Sequence, residues 1–282
     1  MDITPLSETL HLEQLEVNLF RGVTPSESPG RIFGGQVIAQ TLLAAYQTVD
    51  DRLCHSLHCY FIRPGDPSIP IIFEVDRSRD GGSFTTRRVV AIQHGQQIFV
   101  LAASFMAPEG GFEHQEPMPP VGTWEGIPDD TDAEMARLNE APLEAQRWMT
   151  RLRAIEMRTV VAPGDSETAA RSRLWFRARE PIAGDQRMHQ AILAYASDMS
   201  LLSTAMRPHA LSFSTPGFQP ASLDHAMWFH HPLNFNDWHL YALDSPSASG
   251  GRGFIRGSIF SQNGTLVASV AQEGLMRMRR PK

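Results

Sequence analysis

The 282-residue chain lacks most of the features that announce a chemistry. It has two cysteines, Cys54 and Cys59. They bracket the run Cys54-His55-Ser56-Leu57-His58-Cys59, which holds the residue types of a metal site. The segment 56–62 is apolar and β-prone and reads as a strand. Cys54 and His58 then share a face but stand roughly 13 Å apart, whereas a tetrahedral zinc needs every ligand within about 2.0–2.3 Å. Buried structural thiols are expected, with no metal and no cofactor. Positive charge is not in excess: the net charge is -6, which gives no global attraction to nucleic acid or an anionic membrane. A phosphate-rich ligand would depend on local arginines. No apolar run approaches the ~20 residues of a membrane span.

Targeting and motif signals are equally sparse. Met1-Asp2-Ile3-Thr4-Pro5 is not a basic region leading into an apolar one, and Arg280-Pro281-Lys282 is not a Ser-Lys-Leu address. A reducing cytoplasm is the expected compartment. There is no Gly-x-Ser-x-Gly elbow and no phosphate loop. Gly251-Arg252-Gly253-Phe254-Ile255-Arg256-Gly257 only roughly resembles a dinucleotide fingerprint, and it leads into a strand instead of opening a helix. Ser222, Asp224 and His225 are triad residue types, but Asp224 and His225 point to opposite faces of one strand.

What is present is a globular composition, 42% hydrophobic and 20% charged, ample for a sizeable core. Leu10–Phe20 is amphipathic and predicts a short helix. Gly34–Tyr46 predicts a second, with Val37, Ile38, Thr41, Leu42 and Ala45 at helical spacing. Strands are expected at Leu57–Ile62, Ile69–Val75, Thr85–Gln93 and Gln97–Met106, with His94-Gly95 as a tight turn. The second half repeats the pattern. His189–Met206 predicts a helix, and strands follow at Leu223–His230, His239–Leu243, Gly253–Ser261 and Thr265–Met276, with Asn263-Gly264 as the hairpin turn.

Phe61-Ile62-Arg63-Pro64 aligns with Phe229-His230-His231-Pro232 at an offset of 168, as do Arg88 with Arg256 and Ile98-Phe99 with Leu266-Val267. A tandem repeat follows: residues 1–110 and 153–282 as two units, with 111–152 as a linker carrying a helix at Ala133–Arg153. The linker begins in Pro108–Asp132, rich in Pro, Gly, Glu and Asp, and Ala154–Val161 restarts a strand pattern. One helix and one sheet cannot cover each other's apolar surfaces well; two such α+β units with joined sheets can.

Three polar residues occupy apolar settings. Asp198 has Ala194, Leu201, Leu202 and Ala205 as helical neighbours, so it must be paired, or it or Ser197 caps a helix end. Gln272 shares a strand face with Leu266, Ala268 and Val270 and needs partners, from neighbouring backbone or from a site. Ser222 opens a strand whose same face carries Ala226 and Trp228, or is simply a turn residue.

The segments around them resemble the acyl-CoA thioesterase II family, the bacterial TesB type. They are Tyr195-Ala196-Ser197-Asp198, Ser222-Leu223-Asp224-His225-Ala226-Met227-Trp228-Phe229-His230 and Val270-Ala271-Gln272-Glu273-Gly274. Gly34-Gly35-Gln36-Val37 and Ser249-Gly250-Gly251-Arg252-Gly253-Phe254 are similar too. The resemblance implies a double hotdog fold with one continuous antiparallel sheet. It also implies a fatty acyl-CoA substrate, and a nucleophilic water held by Asp198, Ser222 and Gln272. The bacterial pattern has threonine where this chain has Ser222; the hydroxyl is kept and a methyl is lost.

At the 168 offset Gln272 faces Ser104, while Asp198 falls near Gly30 and Ser222 near Cys54. The first half therefore reads as scaffold. Arg252 and Arg256 are candidates for the coenzyme A phosphates, with Gly34, Gly35 and His58 as further candidate substrate contacts. A homo-oligomer, dimer or tetramer, is compatible with this reading. The alternatives are a hotdog-type enoyl-CoA hydratase, for which His58 and His225 would be candidates, and a non-catalytic acyl-CoA-binding protein.

Overall fold

The computed structural model describes residues 5–25, 30–130, 154–161, 166 and 168–279. The expected linker helix at Ala133–Arg153 lies outside them.

The chain opens with a single helical turn, α1 (Leu6–Thr9), followed by β1 (Leu12–Glu16) and β2 (Leu19–Gly22). The helix expected at Leu10–Phe20 is thus a hairpin. Its leucine spacing suits either period, and tertiary packing decides: Phe20 is fully buried where β2 lies alongside the next strand, opposite Phe73. Such overrides are common in short apolar runs. The helix α2 spans Gly34–Tyr46 as expected and is buried over nearly its whole length. Four long strands follow, β3 (Leu53–Phe61), β4 (Ile71–Asp80), β5 (Phe84–Gln93) and β6 (Gln96–Met106). His94 and Gly95 both take positive φ, 49° and 69°, in the β5–β6 turn, the geometry of a type I′ hairpin.

Residues 111–130 stay close to the body. Met118, Val121 and Trp124 pack on a cluster of Trp175, Trp238, Leu240 and Phe260. Trp124 stacks on Trp238 at 5.5 Å, and the Arg177 guanidinium lies 4.5 Å from the same ring. This is a cation–π contact of the kind worth about 1 kcal/mol at such sites.

The second half comprises β7 (Ile155–Thr159), β8 (Arg171–Ala178), α3 (Gln186–Ser197), α4 (Leu201–Met206), β9 (Phe218–Ser222), β10 (Asp224–Phe229), β11 (His239–Ser249), β12 (Arg252–Ser261) and β13 (Leu266–Met278). Asp185 caps α3, accepting from the N–H groups of Arg187 and Met188, as N-cap carboxylates do. The single helix expected over His189–Met206 is broken at Asp198-Met199-Ser200, where Ser200 adopts φ 67°. That left-handed conformation is rare for a residue with a Cβ and sends the chain off at a new angle. β8 had no counterpart among the expected strands.

All pairings among these strands are antiparallel, in the order β1-β2-β4-β5-β6-β3-β10-β13-β12-β11-β8-β7, with β9 paired to β13. The halves join where β3 meets β10, with Leu57 opposite Met227 and Cys59 opposite His225. The result is the one continuous sheet that a double hotdog requires. α2 and α3 pack together over it. Tyr46 of α2 donates its hydroxyl hydrogen to Gln190 of α3, and Gln190 Nε2 donates to the Cys54 carbonyl at 3.0 Å.

β3, β4 and β5 correspond to β10, β11 and β12 at the 168 offset, β6 corresponds to β13 at 169, and the helices depart further. The C-cap of α2 is Gln47, and that of α3 is Asp198. Asp198 therefore corresponds to the end of α2 and not to the neighbourhood of Gly30. The discrepancy is absorbed between helix and strand: the first half runs directly from α2 to β3, whereas the second inserts α4 and β9 before β10.

Candidate active site

α2 and α3 lie so that the C-terminus of α3 meets the N-terminus of α2. Two glycines make this possible. A Cβ at Gly35 would sit 2.2 Å from the Tyr195 carbonyl oxygen, and one at Gly34 would sit 2.6 Å from Asp198 Oδ2. The Gly35 contact is with backbone and cannot be relieved without moving the helices apart, while the Gly34 contact would displace the Asp198 side chain. The N–H of Gly35 donates to the Asp198 carboxyl, which thus occupies the positive end of the α2 dipole.

Asp198 gathers the other two polar residues around itself. Ser222 Oγ donates to Asp198 Oδ1 at 3.2 Å. Gln272 Nε2 donates to Ser222 Oγ at 3.0 Å and also reaches the Asp198 carboxyl. The structure therefore brings Asp198, Ser222 and Gln272 into one hydrogen-bonded group.

Ser222 does not lie on the face of Ala226 and Trp228. It ends β9, and the strand alternation is interrupted at Leu223 before β10 begins. The Leu223 N–H donates to the Glu273 carbonyl and Asp224 Oδ1 accepts from the Glu273 N–H at 2.6 Å. This interruption turns Ser222 toward α3, while Trp228 meets His58 edge-on. Gln272 lies on β13 where its pairing passes from β10 to β9.

Burial raises the Asp198 carboxyl from 3.8 to about 7; hydrogen bonds from Ser222, Gln272 and Gly35 and the charge of Arg31 pull the other way. Desolvation outweighs them because the carboxyl is enclosed by protein on all sides but one. The open side is a cavity of about 470 Å³, lined by Phe33, Gly34, Phe61, Ile98, Phe99, Met199, Leu202 and Phe213 together with Asp198 and Ser222. Arg31 and Arg63 also border it, and both are exposed. An apolar slot with a few convergent polar groups and one strongly shifted carboxyl has the features of a small-molecule site.

The other sequence candidates lie elsewhere. Arg252 pairs with Glu273 at 2.8 Å and Arg256 with Asp244 at 2.6 Å, and neither borders the cavity. His58 is exposed on the far side of the sheet. His225 is buried, bonded to Ser197 and Gln272. Cys54 and Cys59 are buried free thiols whose sulfurs meet the carbonyls of Ser56 and His225. Arg31 and Arg63 escaped the sequence reading because nothing in their local pattern distinguishes them from other surface arginines.

A helix cradled by an antiparallel sheet, occurring twice and fused edge to edge, defines a double hotdog protein. The chain belongs to the acyl-CoA thioesterase family, the thioester hydrolases. Residues 145–275 match the acyl-CoA thioesterase family and residues 24–106 match the acyl-CoA thioesterase N-terminal domain. The chain is 40% identical to acyl-CoA thioesterase 2 of Haemophilus influenzae, over 96% of each chain. It is 38% identical to human acyl-coenzyme A thioesterase 8, covering 97% of this chain and 89% of that relative. Among solved structures, acyl-CoA thioesterase II TesB2 from Mycobacterium marinum superposes with a TM-score of 0.81 at 40% identity, covering 97% of this chain and 98% of the other.

Proposed function

We propose that the protein hydrolyses fatty acyl-CoA thioesters to the free acid and coenzyme A, using a water activated by Asp198 and held by Ser222 and Gln272. The observation that carries this reading is the Asp198–Ser222–Gln272 hydrogen-bonded group facing an apolar cavity at the start of α2. A thioester needs little help at its leaving group, because a thiol of pKa about 8.5 departs as thiolate. It needs an oriented water and a site for the oxyanion. With its carboxyl near 7, Asp198 is ionised often enough to accept a proton and basic enough to take one from water. Water attacks the carbonyl carbon, its proton passes to Asp198, and the carbonyl oxygen becomes an oxyanion. The start of α2 at Gly34, which borders the cavity, supplies backbone N–H donors for it. Collapse of the intermediate breaks the C–S bond, and the proton on Asp198 returns to the departing thiolate.

The coenzyme A phosphates require cations near the cavity. Arg31 and Arg63 suit that role better than Arg252 and Arg256 because the first pair borders the cavity and the second does not. Hydratase chemistry is disfavoured: neither His58 on the outer face nor the enclosed His225 presents a base to the cavity. Release of free thiol from decanoyl-CoA, followed with a thiol reagent, tests the reading. Change at an enoyl chromophore without thiol would mean a hydratase, and binding without either would mean a binding protein.

A further inference from the structure

His225 belongs to neither the water-holding group nor the cavity lining, yet it is 1% exposed and touches the site. It stands across the β10–β13 ladder from Gln272, one step beyond the Ala226–Ala271 pair. Its Nδ1 is 2.7 Å from Gln272 Oε1, and its Nε2 is 3.0 Å from Ser197 Oγ, whose single hydrogen can turn either to the Ala194 carbonyl at 2.9 Å or to a bare Nε2. The five side chains Ser197, His225, Gln272, Ser222 and Asp198 thus form one unbroken series of hydrogen bonds.

The direction of that series is set from the Asp198 end. An ionised Asp198 only accepts, so Ser222 must donate to it. Ser222 Oγ can then only accept from Gln272, which fixes the carboxamide with its NH₂ toward Asp198 and Ser222. Gln272 Oε1 is left pointing at His225, and only an Nδ1–H can satisfy it. The opposite tautomer would set two lone pairs against each other at 2.7 Å.

We infer that His225 is a positioning residue for hydrolysis: its Nδ1–H holds Gln272 with the carboxamide nitrogen facing the reaction site, and Ser197 supports the imidazole through Nε2. This rests on the proposed role of Gln272. Without the Nδ1–H donor, Gln272 Oε1 would be buried without a partner. Nothing would then oppose a turn of the amide that places an acceptor beside the Asp198 carboxylate. Burial also pushes the imidazole down to about 4. It is therefore neutral near pH 7, and the question of which nitrogen carries the proton has a definite answer.

Two measurements test the inference. ¹⁵N spectra of the imidazole in the unmodified protein at about pH 8.5, where Asp198 is ionised, should show a protonated Nδ1 and an unprotonated Nε2. His225→Leu should lower kcat on decanoyl-CoA about 10–100-fold, with KM within about twofold. His225→Asn, whose side-chain N–H can stand where Nδ1–H stood, should recover most of that loss. A proton on Nε2, a folded His225→Leu within about threefold of wild-type kcat, or a folded His225→Asn no better than His225→Leu would each overturn the inference. If the variants do not fold, the spectra decide. Gln272→Ala measured alongside separates the two levels. Wild-type turnover there sinks the water-holding role of Gln272 itself; loss there without loss in His225→Leu sinks only the role of His225.

Discussion

Asp198→Asn probes the site through stability as well as rate. In the unfolded chain this carboxyl titrates at 3.8, and in the folded protein at about 7. The folded state thus binds the proton more tightly than the unfolded state does. The contribution of Asp198 to folding stability is therefore full below about pH 4 and declines as pH rises toward 7, opposite to the usual trend for carboxylates. Three pH units of difference correspond to about 4 kcal/mol at and above pH 7. Asparagine has no such dependence. It carries its own fixed penalty of about 1–3 kcal/mol, because its NH₂ must face the Gly35 N–H or another donor. The difference in unfolding free energy between Asp198→Asn and wild type should therefore climb by several kcal/mol in favour of asparagine between pH 4.5 and 8. All other ionisable groups cancel in that difference. Denaturant melts of both proteins across the range supply it, and kinetics supply the second half: kcat/KM of wild type should rise with pH to a plateau above about 7. Asp198→Asn should lose about 10²–10⁴-fold in kcat. A stability difference flat to about 0.5 kcal/mol, or near-wild-type turnover by the variant, would refute the idea of a buried, high-pKa base.

Ser222→Ala and Gln272→Ala should each lower kcat more than they raise KM, and the double variant should lose far less than the product of the two, since both act on one water; steady-state kinetics check this. Arg31→Ala should move the rising limb of the rate profile to higher pH, because the Arg31 charge favours the ionised Asp198. Gly35→Ala should cost about 1–3 kcal/mol in denaturant melts, since its Cβ would fall 2.2 Å from a backbone carbonyl. For the phosphates, Arg63→Ala should raise KM at low salt while Arg252→Ala and Arg256→Ala leave it unchanged; the opposite pattern would return the role to the second pair.

Much of the architecture was legible in the sequence because it is periodic. The apolar spacing of Gly34–Tyr46 fixed α2 to the residue, and alternation with turn residues located the long strands β4–β6 and β11–β13. The Gly34-Gly35 pair entered the sequence reading as a candidate substrate contact, and its close approach to α3 is seen only in the structure. The resemblance around Asp198, Ser222 and Gln272 brought together three residues that no local rule connects. Tertiary structure decided the rest. Leu12–Glu16 and Leu19–Gly22 became strands because β4 offered an edge to pair with, a partner distant in sequence. The break at Ser200 places Asp198 at a helix end, and periodicity ran through it because Leu201, Leu202 and Ala205 are apolar on both readings. The interrupted alternation at Leu223 turned Ser222 toward α3, where a uniform strand would have sent it outward. Local pattern reports which face of an element is apolar. It does not report which elements meet, and the carboxyl, hydroxyl and amide of this site touch only because two helix ends and a change of strand partner coincide.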